Sequence, residues 1–251
     1  MNELTGRVAI VTGGGSGIGK AVAELFAEES AAGLTIADIR GDTAKEVAAS
    51  VVERFGAKAI ATETDVSNEA LVDDMVARTI EEFGRVDILV NNAGICPVVA
   101  WDDTTLEDWN RILAVNVTGA YISTKAVLPH MRRQKYGRIV NISSVGGFLG
   151  SVIAHVAYGV SKAGMIALTK VIAKTFAADG VYANAIAPGS IDTPLTDSFG
   201  EEQKRRFREM CPLGRQGSPR ELADAVLYLS TDRSNYLTGA TLHVNGGSLL
   251  I

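Results

Sequence analysis

Short apolar runs alternate with longer amphipathic stretches from one end of the chain to the other. Val8–Val11, Leu34–Ala37, Lys58–Thr62, Asp87–Val90, Arg138–Ile142, Tyr182–Ala187 and Thr241–Val244 have the length and composition of strands. Between them, Ile18–Glu29, Thr43–Phe55, Glu69–Phe83, Leu106–Arg132, Ala157–Ala178 and Glu221–Leu229 carry helical spacing. Runs such as Ile88-Leu89-Val90 are apolar without alternation, as expected of strands covered on both faces. Repeated strand–helix units joined by right-handed crossovers predict a single-domain α/β fold, a Rossmann-type doubly wound parallel sheet of about seven strands flanked by helices on both faces. Ligands of such sheets bind beyond the carboxyl ends of the strands, near the switch in strand order, so the chemistry is sought in the loops that follow strands.

The 251 residues contain no linker or internal repeat, which makes 1–251 one domain. Residues 1–95 read as mainly the dinucleotide-binding half, 96–251 as the catalytic and substrate half, with a substrate loop at about 190–215. The net charge of -5 is spread without a basic cluster, which argues against nucleic acid and against an anionic membrane surface. Apolar runs are strand-length and no signal peptide is visible, so cytoplasmic residence is the expectation. Two cysteines and three histidines without close spacing predict neither a disulfide framework nor a metal site.

The first strand runs into Thr12-Gly13-Gly14-Gly15-Ser16-Gly17-Ile18-Gly19 and a helix follows at once. Glycines permit a tight turn and close approach of a pyrophosphate, and a helix start offers unpaired N–H groups to it. About twenty residues on, the second strand ends at Asp38-Ile39, where a carboxylate suits the ribose hydroxyls of NAD and repels the 2′-phosphate of NADP. Ser16 supplies no positive charge for that phosphate, whereas Arg40 could. Asp65-Val66 could hold the adenine edge, although Asp65 serves equally as a helix cap.

Tyr158 and Lys162 lie four apart on a helical stretch and so share a face. Free tyrosine titrates near pH 10, and lowering that by roughly three units takes about 4 kcal/mol, within reach of a close ammonium and a positive nicotinamide. Upstream stand Asn91-Asn92-Ala93-Gly94, Asn116 and Ser143-Ser144; downstream stands Pro188-Gly189-Ser190-Ile191-Asp192-Thr193, then Val244-Asn245-Gly246-Gly247. In this order and over the whole chain the sequence resembles the short-chain dehydrogenase/reductase family.

The resemblance implies Tyr158 as general acid/base, Lys162 as its partner and holder of the nicotinamide ribose, and Ser144 as hydrogen-bond donor to the substrate oxygen. It implies that Asn116 anchors a relay water, that Asn92, Ala93 and Gly94 shape the cofactor cleft with Pro188, Gly189 and Ile191, and that Thr193 meets the carboxamide. Ser143 competes with Ser144, which is preferred from its place in the family pattern. Substrate contacts are expected from Ser144, Ile95, Cys96, Gly146, Phe148, His155, Leu195 and Phe199, mostly apolar and suited to an uncharged ketone. The expected activity is NAD-dependent interconversion of a secondary alcohol and a ketone by a homotetramer. Its rivals are an NADPH-dependent 3-oxoacyl-(acyl-carrier-protein) reductase and, from another class, a nucleotide-binding protein without catalysis. Tyr182-Ala183 and Gly33 depart from the family's usual residues at their positions.

Overall fold

A computed structural model describes residues 2–150, 154–197 and 199–251. Seven strands form one sheet: β1 (Val8–Thr12), β2 (Gly33–Asp38), β3 (Ala59–Glu63), β4 (Ile88–Asn91), β5 (Gly137–Ile142), β6 (Val181–Pro188) and β7 (Thr241–Val244). Their order is β3-β2-β1-β4-β5-β6-β7, and every pairing is parallel. After β3 the chain returns across the sheet to lay β4 beside β1. The loops after these two strands therefore diverge and leave a crevice between them.

The period of two along each strand feeds two cores. Val11, Ile36, Val90 and Val140 point to one face, under helices α1 (Gly17–Glu28) and α2 (Gly41–Phe55). Ile10, Leu89 and Ile139 point to the other, under α3 (Glu69–Phe83). Because both faces are covered, the strands are mostly apolar, and buried exceptions such as Thr35, Asn141 and Asn184 are hydrogen-bonded.

The stretch expected as one helix over Leu106–Arg132 is continuous but carries a π-turn in its middle. Helix α4 (Leu106–Leu113) passes through a π-helical turn, Ala114–Thr118, into α5 (Gly119–Gln134). The turn holds Val115, Val117 and Thr118, whose branched side chains crowd a regular helix, and it presents Asn116 inward. A short α6 (Gly146–Leu149) precedes the long α7 (Val156–Phe176). The expected substrate loop is also partly helical, with α8 (Pro194–Asp197) and α9 (Gly200–Glu209), before α10 (Pro219–Ser230) closes the first face beside α1. Contrary to the expectation from apolar run length, Leu106–Gln134 and Val156–Asp179 are long and apolar enough to cross a membrane. About half of each apolar window (44% and 50%) is buried within the fold, as in helices that cover a sheet.

Both unusual scaffold residues have local causes. A Cβ on Gly33 would lie 2.5 Å from the Phe83 ring, so this strand is entered without a side chain. Tyr182 lays its ring 4.5 Å from the buried guanidinium of Arg138, which is also 4.3 Å from the Tyr136 ring. A positive residue at 182 would replace that stacking with like-charge repulsion.

Candidate active site

The loops beyond β1, β4, β5 and β6 enclose a cleft of ≈ 1190 Å³ running from Asp38 to α9. At its first end the glycine turn is shaped by the neighbouring loop. Gly13 and Gly17 have φ of 62° and 51°, and a Cβ on Gly13 would lie 2.9 Å from the Ala93 backbone. Asn92 Nδ2 donates to the carbonyls of Thr12 and Gly13, 3.0 Å each, tying the two loops together. Ser16 is extended and gives α1 no side-chain cap, so the first turn of that helix keeps its donors for a ligand. Gly13, Ser16, Gly17 and Ile18 line the cleft. Gly19 does not. It packs behind the turn against the Gly13 carbonyl, where no larger residue fits, which corrects its expected contact with the cofactor.

Asp38 ends β2 almost fully buried. One carboxylate oxygen accepts the Gly15 N–H at 2.9 Å and the other accepts the Arg40 N–H at 3.0 Å. Both oxygens retain a lone pair, with the exposed Ile39 beside them in the cleft wall. Asp65 accepts the backbone N–H and hydroxyl of Ser67, while Asn68 caps α3. Asp65 and Val66 line the cleft, as do Ala93, Gly94, Pro188, Gly189, Ile191 and Thr193. Uncapped helix donors at one point and a fixed carboxylate at the next match the pyrophosphate and ribose of a nicotinamide dinucleotide, so the residues fit that group.

Tyr158 and Lys162 occupy successive turns of α7, the ammonium 5.7 Å from the phenol ring centre. Lys162 Nζ donates to the Ile142 carbonyl at 2.8 Å. Ser144 and Cys96 lie close enough to the Tyr158 phenol to act on its ionisation, and Ser144 Oγ and the phenol ring both flank Gly146. Ser144 Oγ accepts the Gly146 N–H at 3.0 Å, whereas Ser143 Oγ donates to the Lys162 carbonyl at 2.7 Å and so faces the helix.

Asn116 is buried behind the cleft lining, and its Oδ1 and Lys162 Nζ both stand beside Gly94, 3.2 and 3.5 Å from where a Cβ there would lie. Its Oδ1 accepts the Ile95 N–H at 2.8 Å, and its Nδ2 donates to the Ile95 carbonyl and to Ser161 Oγ, both at 3.0 Å. Ser161 in turn donates to the Tyr158 carbonyl at 2.7 Å. The π-turn thus clamps the loop that carries Cys96 and joins it to the Tyr158 turn. Ser161 escaped the sequence reading because its position within the Tyr158–Lys162 spacing says nothing about a partner on another helix.

Burial dominates the electrostatics here. It pushes the Tyr158 phenol well above the usual tyrosine range, pushes Lys162 down to about 8, and pushes the Cys96 thiol up to about 11. An ammonium alone therefore does not make the phenol acidic, and the lowering expected from the sequence draws on a positive nicotinamide as well. Both groups are driven toward neutrality.

Cys96, Ser144, Gly146, Leu195 and Phe199 line the far end of the cleft, with Ile95. Phe148 and His155 do not, correcting two expected substrate contacts. The Phe148 ring lies 4.9 Å from the His243 ring, on β7. His155 is fully buried, where Nδ1 accepts the Ala157 N–H as the cap of α7 and its own N–H donates to the Pro97 carbonyl. Phe207 and Met210, not anticipated, complete the wall. Their spacing of three, at the end of α9 and its C-cap, was the available signal, masked by the charged residues around them.

A family model described as Enoyl-(Acyl carrier protein) reductase matches residues 13–248. The 3-oxoacyl-(acyl-carrier-protein) reductase of Aquifex aeolicus is 42% identical over 98% of this chain and 98% of its own. Glucose 1-dehydrogenase 2 of Bacillus subtilis is 37% identical over 99% of this chain and 96% of its own. A short-chain type dehydrogenase/reductase from Mycobacterium marinum superposes with a TM-score of 0.95 at 34% identity, covering 100% of this chain and 98% of that one.

Holding Lys162 in this pocket costs stability at neutral pH. Its pKa falls from 10.5 to about 8 on folding, so the unfolded chain binds more protons between those values and stability rises with pH across that window. Lys162→Met, uncharged and similar in length, is expected to unfold at higher urea than the parent at pH 7, with the gain shrinking toward pH 10.5. Urea titrations at the two pH values read this directly; an unchanged or lower midpoint at pH 7 contradicts it.

Proposed function

The chain belongs to the short-chain dehydrogenase/reductase family of oxidoreductases, and we propose that it interconverts a ketone and a secondary alcohol using NAD(H), with Tyr158 as the proton carrier. The observation that carries this reading is the convergence of the Ser144 and Tyr158 hydroxyls above buried Lys162, in the cleft that has Asp38 at its opposite end. When bound, the dinucleotide supplies a hydride to the carbonyl carbon or accepts one from the alcohol carbon.

In the reducing direction Ser144 and Tyr158 donate hydrogen bonds to the carbonyl oxygen. As that oxygen gains charge, the Tyr158 proton passes to it and leaves a phenolate beside Lys162. In the oxidising direction the phenolate takes the hydroxyl proton. Asn116 and Ser161 are positioning residues that fix the Cys96 loop against the Tyr158 turn. Asp38, held by two backbone donors, supports the preference for NAD(H), since a 2′-phosphate would meet a carboxylate already locked in place.

A second reading draws on the relatives. Six of the first eight relatives by similarity bear the name 3-oxoacyl-(acyl-carrier-protein) reductase, which favours a 3-oxoacyl thioester as the ketone, with NADPH as donor. The two readings share one proton carrier and separate by cofactor. We expect kcat/KM for NADH to exceed that for NADPH at least tenfold, and Asp38→Asn to narrow the ratio by a similar factor. A strong NADPH preference in the parent, measured with the same ketone, contradicts the NAD assignment.

The partner proposed for the chain is itself. Leu106 and Tyr121 on α4–α5, Val160 and Val171 on α7, and the C-terminal Leu250 and Ile251 are all substantially exposed apolar side chains. They support a homotetramer formed through the long helices and the C-terminal strand. Light scattering at micromolar concentration is expected to give four times the chain mass; a monomer contradicts it.

A further inference from the structure

The cleft extends well past the carbonyl position set by Ser144 and Tyr158, and the chemistry of that extension selects a substrate. Its walls are Cys96, Leu195, Phe199, Phe207, Met210 and Leu213. Phe199 and Phe207 meet edge to face, ring centres 5.8 Å apart, forming an aromatic corner before any ligand arrives. Leu195, Met210 and Leu213 are 44%, 62% and 66% exposed, so apolar surface at the mouth stands in water unless a ligand covers it.

The charged groups nearby are already committed. Arg215 lines the cleft, but its guanidinium is gripped by both Glu221 oxygens at 2.9 and 2.6 Å. Glu221 also accepts from Ser218 in the cap of α10, and its carboxyl is held down to about 2, so the pair stays ionised and closed through the neutral range. Lys162 is committed to the Ile142 carbonyl, and burial keeps the Cys96 thiol protonated to about 11. Of the other cations in the lining, Arg40 follows β2 at the Asp38 end and Arg111 is on α4, both outside the segments that wall this extension. A substrate carboxylate or phosphate placed there would lose its water without gaining a partner.

We infer that the substrate is a neutral ketone or secondary alcohol bearing a bulky apolar arm, a ring or a chain of several carbons, which lies in the aromatic corner of α9 and emerges between Met210 and Leu213. The inference rests on the proposed ketone/alcohol chemistry and adds the identity of what flanks the carbonyl. At about 0.8 kcal/mol per buried methylene, each carbon added to the arm raises kcat/KM about fourfold until the corner is full.

The test is steady-state reduction by the full-length protein with saturating NADH, using 2-butanone, 2-octanone, 4-phenyl-2-butanone, 5-oxohexanoate and acetoacetyl-CoA. We expect 4-phenyl-2-butanone and 2-octanone to exceed 2-butanone at least 100-fold in kcat/KM, and 5-oxohexanoate to fall at least 100-fold below 2-octanone. Phe207→Ala should cut the phenylbutanone-to-butanone ratio at least tenfold. Glu221→Gln, which frees Arg215 while keeping a hydrogen-bonding cap, should raise 5-oxohexanoate relative to 2-octanone at least tenfold. Comparable rates for the charged and neutral ketones, a flat response to arm length, or acetoacetyl-CoA as the best substrate overturns the inference and leaves the ketone/alcohol chemistry standing. Failure to turn over any of the five with NADH or NADPH removes that chemistry as well.

Discussion

A phenol and an amine, one helical turn apart, share a pocket too dry to charge either of them cheaply. Burial forces Tyr158 up and Lys162 down, so without a ligand both drift toward their neutral forms. The rest of the site holds that arrangement in place. The Asn116 fork on Ile95 fixes the loop over the pair, Ser161 ties the same fork to the Tyr158 turn, and His155 caps the helix that carries both. If Tyr158 is the proton carrier proposed above, it needs an added positive charge to ionise. A nicotinamide ring in its oxidised form brings such a charge into the neighbourhood of the phenol. Chemistry and cofactor occupancy are thereby coupled through ordinary Coulomb attraction in a medium of low polarisability.

That coupling explains the division of the cleft. Its first end is polar and fixed: uncapped helix donors after the glycine turn, and Asp38 pinned by two backbone N–H groups. Its far end is apolar, and Arg215 in its lining is already paired to Glu221. The polar end fits the nicotinamide dinucleotide that the family binds, whereas the apolar end, built on the short helices α8 and α9, is where members of one fold can diverge. Relatives of similar identity carry names as different as an acyl-carrier reductase and a glucose dehydrogenase, in line with that division.

Much of this was readable before any coordinates. Strands covered on both faces announce themselves by mostly apolar runs, and the glycine turn, Asp38 and the Tyr158–Lys162 spacing are local patterns with local causes. The misreadings and omissions share a different property, since each depended on a contact distant in sequence. Asn116 lies inside one long helix, as expected, but nothing near it reveals the π-turn or the bonds of its side chain to Ile95. His155 and Phe148 looked like substrate contacts because their loop positions permit it, and only the packing against Pro97 and His243 takes them elsewhere. Gly19 matched the glycine pattern but serves the turn, not the ligand. The burial that raises Tyr158 in the ligand-free fold was also out of reach, because burial is a property of the whole fold and spacing along a helix reports only the nearest charge.

The central claim is that the phenol of Tyr158 becomes acidic only when an oxidised nicotinamide dinucleotide is bound. Ultraviolet difference titration of tyrosinate, in the parent and in Tyr158→Phe, with and without saturating NAD+, tests it directly. The account predicts a tyrosine midpoint above the ordinary value of about 10 in the free protein that falls by at least ~3 units with NAD+ and is missing from the variant. A midpoint that stays put when NAD+ binds, or one near 7 in the free protein, would contradict it.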